Sequence, residues 1–255
     1  MNISAASLDA ICRTRDGYVR WFKSVTSIDL LDYEPHVASE CLQVGVWFSR
    51  RRGAIPVQEI INDSMEYITQ ERTGFFRDGF VWESLSRFVS ARPATTWTAW
   101  CAACSFGCEP YSLAMLLNSA TKRNKHYIIA TDIDSRLLRH AKRGAFQHHD
   151  LLDDPLGLIP RYTVWREGHC VVADTIRTTV SFRNHNALLG SPIREPVDIL
   201  LMRNLLTYLS PNAQARAMQA SYDALKPGGA FVVSSPDIEI NKGFTLLEPS
   251  VYIRL

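Results

Sequence analysis

What the chain has little of narrows its reading at once. Its 28 Lys and Arg against 26 Asp and Glu leave a formal net charge of +2 over 255 residues, too near balance for a long-range field drawing it to nucleic acid or an anionic membrane. No apolar run approaches the ~20 residues of a membrane span, so no membrane insertion is expected. The start, MNISAASLDAICRTRDG, lacks the basic-then-apolar layout of a signal peptide. A cytoplasmic protein is the default expectation. The cysteines Cys12, Cys41, Cys101, Cys104, Cys108 and Cys170 keep no regular framework, which suits a reducing compartment. Cys101, Cys104 and Cys108 superficially suggest an iron–sulfur or zinc set. Two of them fall where a strand and its loop need small buried residues, so no metal is expected. His140, His148 and His149 near Asp150, Asp153 and Asp154 match no ligand spacing and read as a solvated turn. Also missing are the Gly-x-Gly-x-x-Gly spacing and the Gly-Lys-Ser/Thr end of a P-loop, so neither a pyrophosphate cradle nor a nucleoside triphosphate is indicated.

What is present is 46% apolar, enough to bury a large core as one domain or as a main domain with a small companion. The stretch WTAWCAACSFGCEPYSLAMLL, residues 97–117, reads as strand, tight small-residue loop and helix. Such a loop lets backbone approach a ligand, and the helix behind it offers a positive N-terminus. Glu109 has two readings there, a first-turn carboxylate favoured by the helix dipole or a partner for a ligand's ammonium group.

Residues 1–90 carry helical periodicity without strand alternation, with apolar faces around Leu8, Ile11 and Cys12, around Tyr18, Trp21, Phe22 and Val25, from Val37 to Phe48, and from Ile60 to Ile68. Arg50, Arg51 and Arg52 follow a helix just before Gly53 and read as a solvated C-terminal cap or as a contact for an acidic partner. In QERTGFFRDGF, residues 70–80, Thr73 and Arg77 share a face if the segment is helical, and Arg77 can fork onto a carboxylate.

Beyond residue 91 strand alternates with helix, the pattern of an α/β sheet. HYIIATDID gives a strand from Tyr127 ending in Asp132, and a helix from Ser135 to Arg143 closed by Gly144. An acid at that strand end is placed for the two hydroxyls of a ribose; Asp132 takes that role and Asp134 the helix cap. Residues 160–180 hold two short β-rich runs around Glu167-Gly168, an antiparallel insertion that is either a recognition element or scaffold. VDILLM, residues 197–202, is a buried parallel strand running into Arg203-Asn204-Leu205-Leu206-Thr207-Tyr208. Val251 to Arg254 closes the sheet.

In order and spacing, ERTGFFRD, CSFGCEPYSLAMLL, IIATDIDSRLL, FRNHNALL, DILLMRNLLTYLS and LKPGGAFVVSS resemble the CheR family, S-adenosylmethionine-dependent methyltransferases that esterify glutamate side chains of bacterial chemoreceptors. The resemblance covers residues 60–255 clearly and the helical start more loosely. It implies a small helical N-terminal domain over 1–90 and a Rossmann-like class I methyltransferase domain over 91–255. That domain would have a seventh, antiparallel strand and a β insertion at 160–180. Cofactor contacts then fall on Thr73, Arg77, Glu109, on Asp132 for the ribose, on Asn186 and Ala187 near the adenine, and on Asn204 and Leu205. Two positions depart from the family pattern, Glu71 where Asn is common and Cys108 where Glu is usual.

A glutamate acceptor is already ionised at neutral pH, its reference pKa being about 4.3, so no general base is required. Arg77 is the candidate to orient it. Tyr208 is the candidate hydrogen-bond donor near the methyl group, with plain packing as its other reading. The acceptor expected is a protein with an acidic helical surface. A family member redirected to a small molecule or another protein is the alternative, and a cofactor-binding interaction module without turnover is the third reading.

Overall fold

The computed structural model describes residues 1–51, 53–69, 73–92, 96–121, 126–234, 240 and 243–255. Contacts divide the chain into two units, Met1–Glu71 with Tyr208–Ala215, and Arg72–Thr207 with Arg216–Leu255.

The first unit begins with β1 (Asn2–Ser4), followed by helices α1 (Ala5–Cys12), α2 (Arg15–Thr26) and α3 (Pro35–Ser49), then β2 (Ala54–Pro56) and α4 (Val57–Ile68). The hydroxyls of Ser4 and Thr14 accept the backbone N–H groups of Ser7 and Gly17, capping α1 and α2. Leu8, Tyr18, Phe22, Val37, Cys41 and Phe48 form the core. Gly45 permits a close approach in it, since a Cβ there would sit 2.4 Å from the Tyr18 ring. The helical expectation for this region needs one addition. β1 and β2 pair antiparallel through Ile3 and Ile55, and runs of three residues are too short to show an alternating period.

The second unit starts with α5 (Gly79–Ser90) and then alternates: β3 (Thr98–Ala102), α6 (Cys108–Ala120), β4 (Tyr127–Asp132), α7 (Ser135–Arg143) and β5 (Ala145–Phe146). The short α8 (Ile159–Tyr162), β6 (Thr163–Arg166), β7 (His169–Val172) and α9 (Asp174–Arg177) follow. The chain ends with β8 (Val180–Asn184), β9 (Val197–Leu201), α10 (Pro211–Ala224), β10 (Leu225–Val232), β11 (Phe244–Glu248) and β12 (Val251–Arg254). Val81, Trp82, Leu85, Phe88 and Val89 of α5 enter the same core as Trp97, Ala99 and Cys101. The division of contacts therefore falls at 71/72, whereas helical periodicity by itself runs to residue 90.

Seven strands form the main sheet in the order β11-β12-β10-β9-β3-β4-β8. β10, β9, β3, β4 and β8 run parallel, β12 runs antiparallel to β10, and β11 antiparallel to β12. The strand order reverses at β3, between β4 and β9. The crevice beyond the carboxyl ends of these strands is where open α/β sheets bind ligands. A separate sheet, β5-β7-β6, occupies the insertion. Its β6–β7 hairpin turns through Glu167 (φ 48°) and Gly168 (φ 76°), the twist that suits a two-residue hairpin.

Candidate functional site

Among the described residues, eight non-glycine residues have positive φ. Five of them cluster where the strand order reverses: Ala103 and Ser105 after β3, Asn204 after β9, and Phe76 and Asp78 ahead of α5. Each such conformation costs of order 1 kcal/mol or more and persists only where surrounding contacts over-determine it.

The β4 end supplies the first of those contacts. Asp132 Oδ2 accepts the Ser105 amide and Oδ1 the Asp134 amide, both at 2.9 Å. The Cys104 amide donates to the Thr131 carbonyl, so the loop after β3 is laced to the end of β4. Asp132 is buried, and burial raises its pKa to about 6 although the backbone amides of Asp134 and Ser105 pull it down. Each carboxylate oxygen keeps a lone pair beyond its backbone partner, which is what a pair of ligand hydroxyls requires. Asp134 caps α7, accepting the Arg136 amide at 2.7 Å and its guanidinium at 2.8 Å.

Arg203 organises the second part of the site. Its side chain is wholly buried. Nη1 donates to Glu109 Oε1 at 2.6 Å, Nη2 to Asp78 Oδ2 at 2.5 Å and Nε to Ser234 Oγ at 2.8 Å. Asp78 stands at the N-cap of α5 without accepting a capping hydrogen bond; its carboxylate serves Arg203 instead. Glu109 lies in the first turn of α6, held by a guanidinium as well as favoured by the helix dipole.

The segment from Thr73 to Asp78 is a turn and not the helix on which Thr73 and Arg77 would share a face. It is pinned through its neighbours. Phe75 and Phe76 are fully buried, packing edge-on against Phe146 and Trp82 at 4.8 and 5.3 Å. The Phe76 amide donates to Ser112 Oγ at 3.0 Å, and the Trp82 indole to the Arg77 carbonyl at 3.0 Å. The Thr73 side chain lies by the Cys108 thiol and partly offsets the burial that raises its pKa.

Asn186 caps a short 3-10 turn, its Oδ1 accepting the Leu188 amide at 3.0 Å, and Ala187 is buried behind it. Asn184 ties β8 to the β4 end through the carbonyls of Asp132 and Ile133. Asn204 and Leu205 are half-buried just past β9. Tyr208 ends the turn Leu206–Tyr208 and accepts the Glu34 amide at its carbonyl, 3.0 Å, within the first unit. Glu71 and Arg52 lie outside the described residues.

Cys101, Cys104 and Cys108 are buried, and burial pushes each thiol well above its usual pKa. They pack as small core residues. His149 and Asp150 belong to an exposed 3-10 turn, His148–Asp150. A cleft of about 430 Å³ lined by Tyr111, Lys142, Arg177 and Phe182 among others contains none of the residues gathered at the strand ends. Gly107 has φ 91°, and a Cβ on it would stand 2.7 Å from the Ala141 Cβ and 3.2 Å from the Phe182 ring. Its small size thus serves the seating of α6 against α7 and β8.

Comparison with known proteins gives this geometry a family. The profile of the CheR methyltransferase SAM-binding domain matches residues 71–247. An uncharacterised 104.1 kDa protein of Rhodobacter capsulatus is 28% identical over 86% of this chain, which spans only 25% of its length. A chemotaxis protein methyltransferase of Listeria monocytogenes is 27% identical over 76% of this chain and 77% of its own. Chemotaxis protein methyltransferase 1 of Pseudomonas aeruginosa is 31% identical over 70% of this chain and 68% of its own. The chain belongs to the CheR methyltransferase family, and Asp132, Glu109 and Arg203 all lie within the residues matched to its SAM-binding domain.

Proposed function

We propose that this chain transfers the methyl group of S-adenosylmethionine to a side-chain carboxylate, a glutamate of a protein acceptor. The observation that carries the reading is the buried Asp132 carboxylate, oriented by the amides of Ser105 and Asp134 at the end of β4, where a ribose is bound in sheets of this type. The other groups fit the same ligand. Glu109 suits its ammonium group, Asn186 and Ala187 flank the adenine, and Thr73, Asn204 and Leu205 complete the contacts that the family pattern implies.

The cofactor supplies a methyl group already activated by its sulfonium. The chain's own task is therefore positional: to align the acceptor oxygen with that methyl and to exclude water from a charged nucleophile. Arg77 orients the acceptor carboxylate, its main chain fixed by the Trp82 indole. Tyr208 is the proposed hydrogen-bond donor to the acceptor. No residue need take a proton, because the carboxylate arrives ionised.

The test is methyl transfer from labelled cofactor to the cytoplasmic part of a chemoreceptor. The expected product is a methyl ester, so the label is released as volatile methanol in mild alkali. Label that stays on the protein in alkali would point to an amine or phenol acceptor. Label on a small molecule with no protein present would point to the redirected enzyme. Binding of S-adenosylhomocysteine without any turnover would leave the interaction-module reading.

A further inference from the structure

Arg203 is a residue that the family pattern did not bring forward, and it holds more of the site together than any other single side chain described above. Its guanidinium is fully buried and reaches three separate segments: the loop before α5, the first turn of α6 and the end of β10. Burying an ion costs several kcal/mol unless it is well paired. Asp78 and Glu109 provide that pairing, and with both ionised the cluster carries one negative charge in excess. That excess suits a ligand group bearing a positive charge. The planar fork matters as much as the charge, because it fixes the directions in which the two carboxylates lie. Both segments it grips carry left-handed backbone, at Phe76 and Asp78 on one side and at Gly107 on the other, and the residue after Arg203 itself, Asn204, has φ 60°.

We propose that Arg203 is the positioning residue for the amino-acid end of the cofactor. Its guanidinium presets the Glu109 carboxylate for an ammonium group and, through Asp78, sets the main chain that carries Arg77. The nucleoside end, served by Asp132, does not depend on it. The proposal rests on the methyltransferase reading above, and the two are separable by ligand choice.

The experiment is calorimetric titration of wild type, Arg203→Lys, Glu109→Gln and the double variant with two ligands. S-adenosylhomocysteine carries the amino-acid end, and 5′-methylthioadenosine lacks it. The expected result is that Arg203→Lys binds S-adenosylhomocysteine at least tenfold more weakly while its affinity for methylthioadenosine stays within twofold of wild type. The double variant should lose less affinity than the two single losses combined, since the Glu109 arm is already gone and only the contribution through Asp78 remains. Equal loss for both ligands would mark Arg203 as a general structural residue and overturn the proposal, as would full additivity in the double variant or wild-type affinity in Arg203→Lys. Wild type that binds neither ligand would overturn the cofactor reading itself. Thermal melts identify folded variants. Should the lysine variant not fold, Asp78→Asn, which leaves the guanidinium in place, takes its role in the same comparison, with an expected loss of three- to tenfold confined to S-adenosylhomocysteine.

Discussion

Asp132 shows how one residue couples burial to binding. Ligand hydroxyls donate to the ionised carboxylate, and burial raises its pKa to about 6. The affinity for S-adenosylhomocysteine should therefore weaken below about pH 6, by up to about tenfold per pH unit, and Asp132→Asn should flatten that dependence; calorimetry from pH 5 to 8 checks it. Stability has the opposite sign. With the folded pKa raised from 3.8, the folded state holds a proton that the unfolded state has released, so stability falls as pH rises from about 4 to about 6 and is level above. The unfolding free energy of wild type minus that of Asp132→Asn should fall across that window by about 1.4 kcal/mol per pH unit, as read by urea denaturation. Asp132 was legible in the sequence because a strand ending in an acid is a local pattern. Arg203 was legible only as part of a polar stretch, because Glu109 and Asp78 are 94 and 125 residues away from it in the chain and no local period joins them.

At the scale of elements, the tight seats are the places to break. Gly107 combines φ 91° with the close approach of Ala141, so Gly107→Ala should cost about 2–4 kcal/mol from backbone strain and overpacking, measured by chemical denaturation. β11 is held to α5 by Glu248, which accepts from Ser84 at 2.9 Å and pairs with Arg87; that pairing holds the Glu248 carboxyl down to about 2. The tie is present above the ordinary glutamate range and fades as pH falls toward 2. Glu248→Gln should accordingly speed amide exchange in β11 at pH 7 while leaving β3 and β4 protected, a pattern that hydrogen exchange resolves strand by strand. The long elements announced themselves: α7 spans Ser135–Arg143 and ends at Gly144 in the left-handed region, where its sequence said it would. β1, β2 and β5, of two or three residues each, did not, since a strand that short exists only through its partner.

For the molecule as a whole, charge near balance leaves recognition to local patches. The first unit carries Arg50 and Arg51 at the end of α3, but Arg51 is already used, paired with Glu59 at 3.2 Å and lying over the Trp47 ring at 4.9 Å. If these cations meet an acidic acceptor, Arg50→Glu should abolish or sharply reduce methyl incorporation into protein while S-adenosylhomocysteine binds as before; unchanged incorporation would remove the cluster from acceptor recognition. The sequence by itself determined the alternation of strand and helix, the acid at the second strand end of that alternation, the cap of α7 and the family, because each is written in short-range spacing or in the order of motifs. Only the tertiary structure decided that the Thr73–Asp78 segment is a turn, that Gly107 serves helix packing, that α5 shares its core with the sheet, and that one buried guanidinium holds Asp78 and Glu109. Those outcomes depend on which distant segments meet, and burial, which sets the energy of every charge in the site, exists only after they have met.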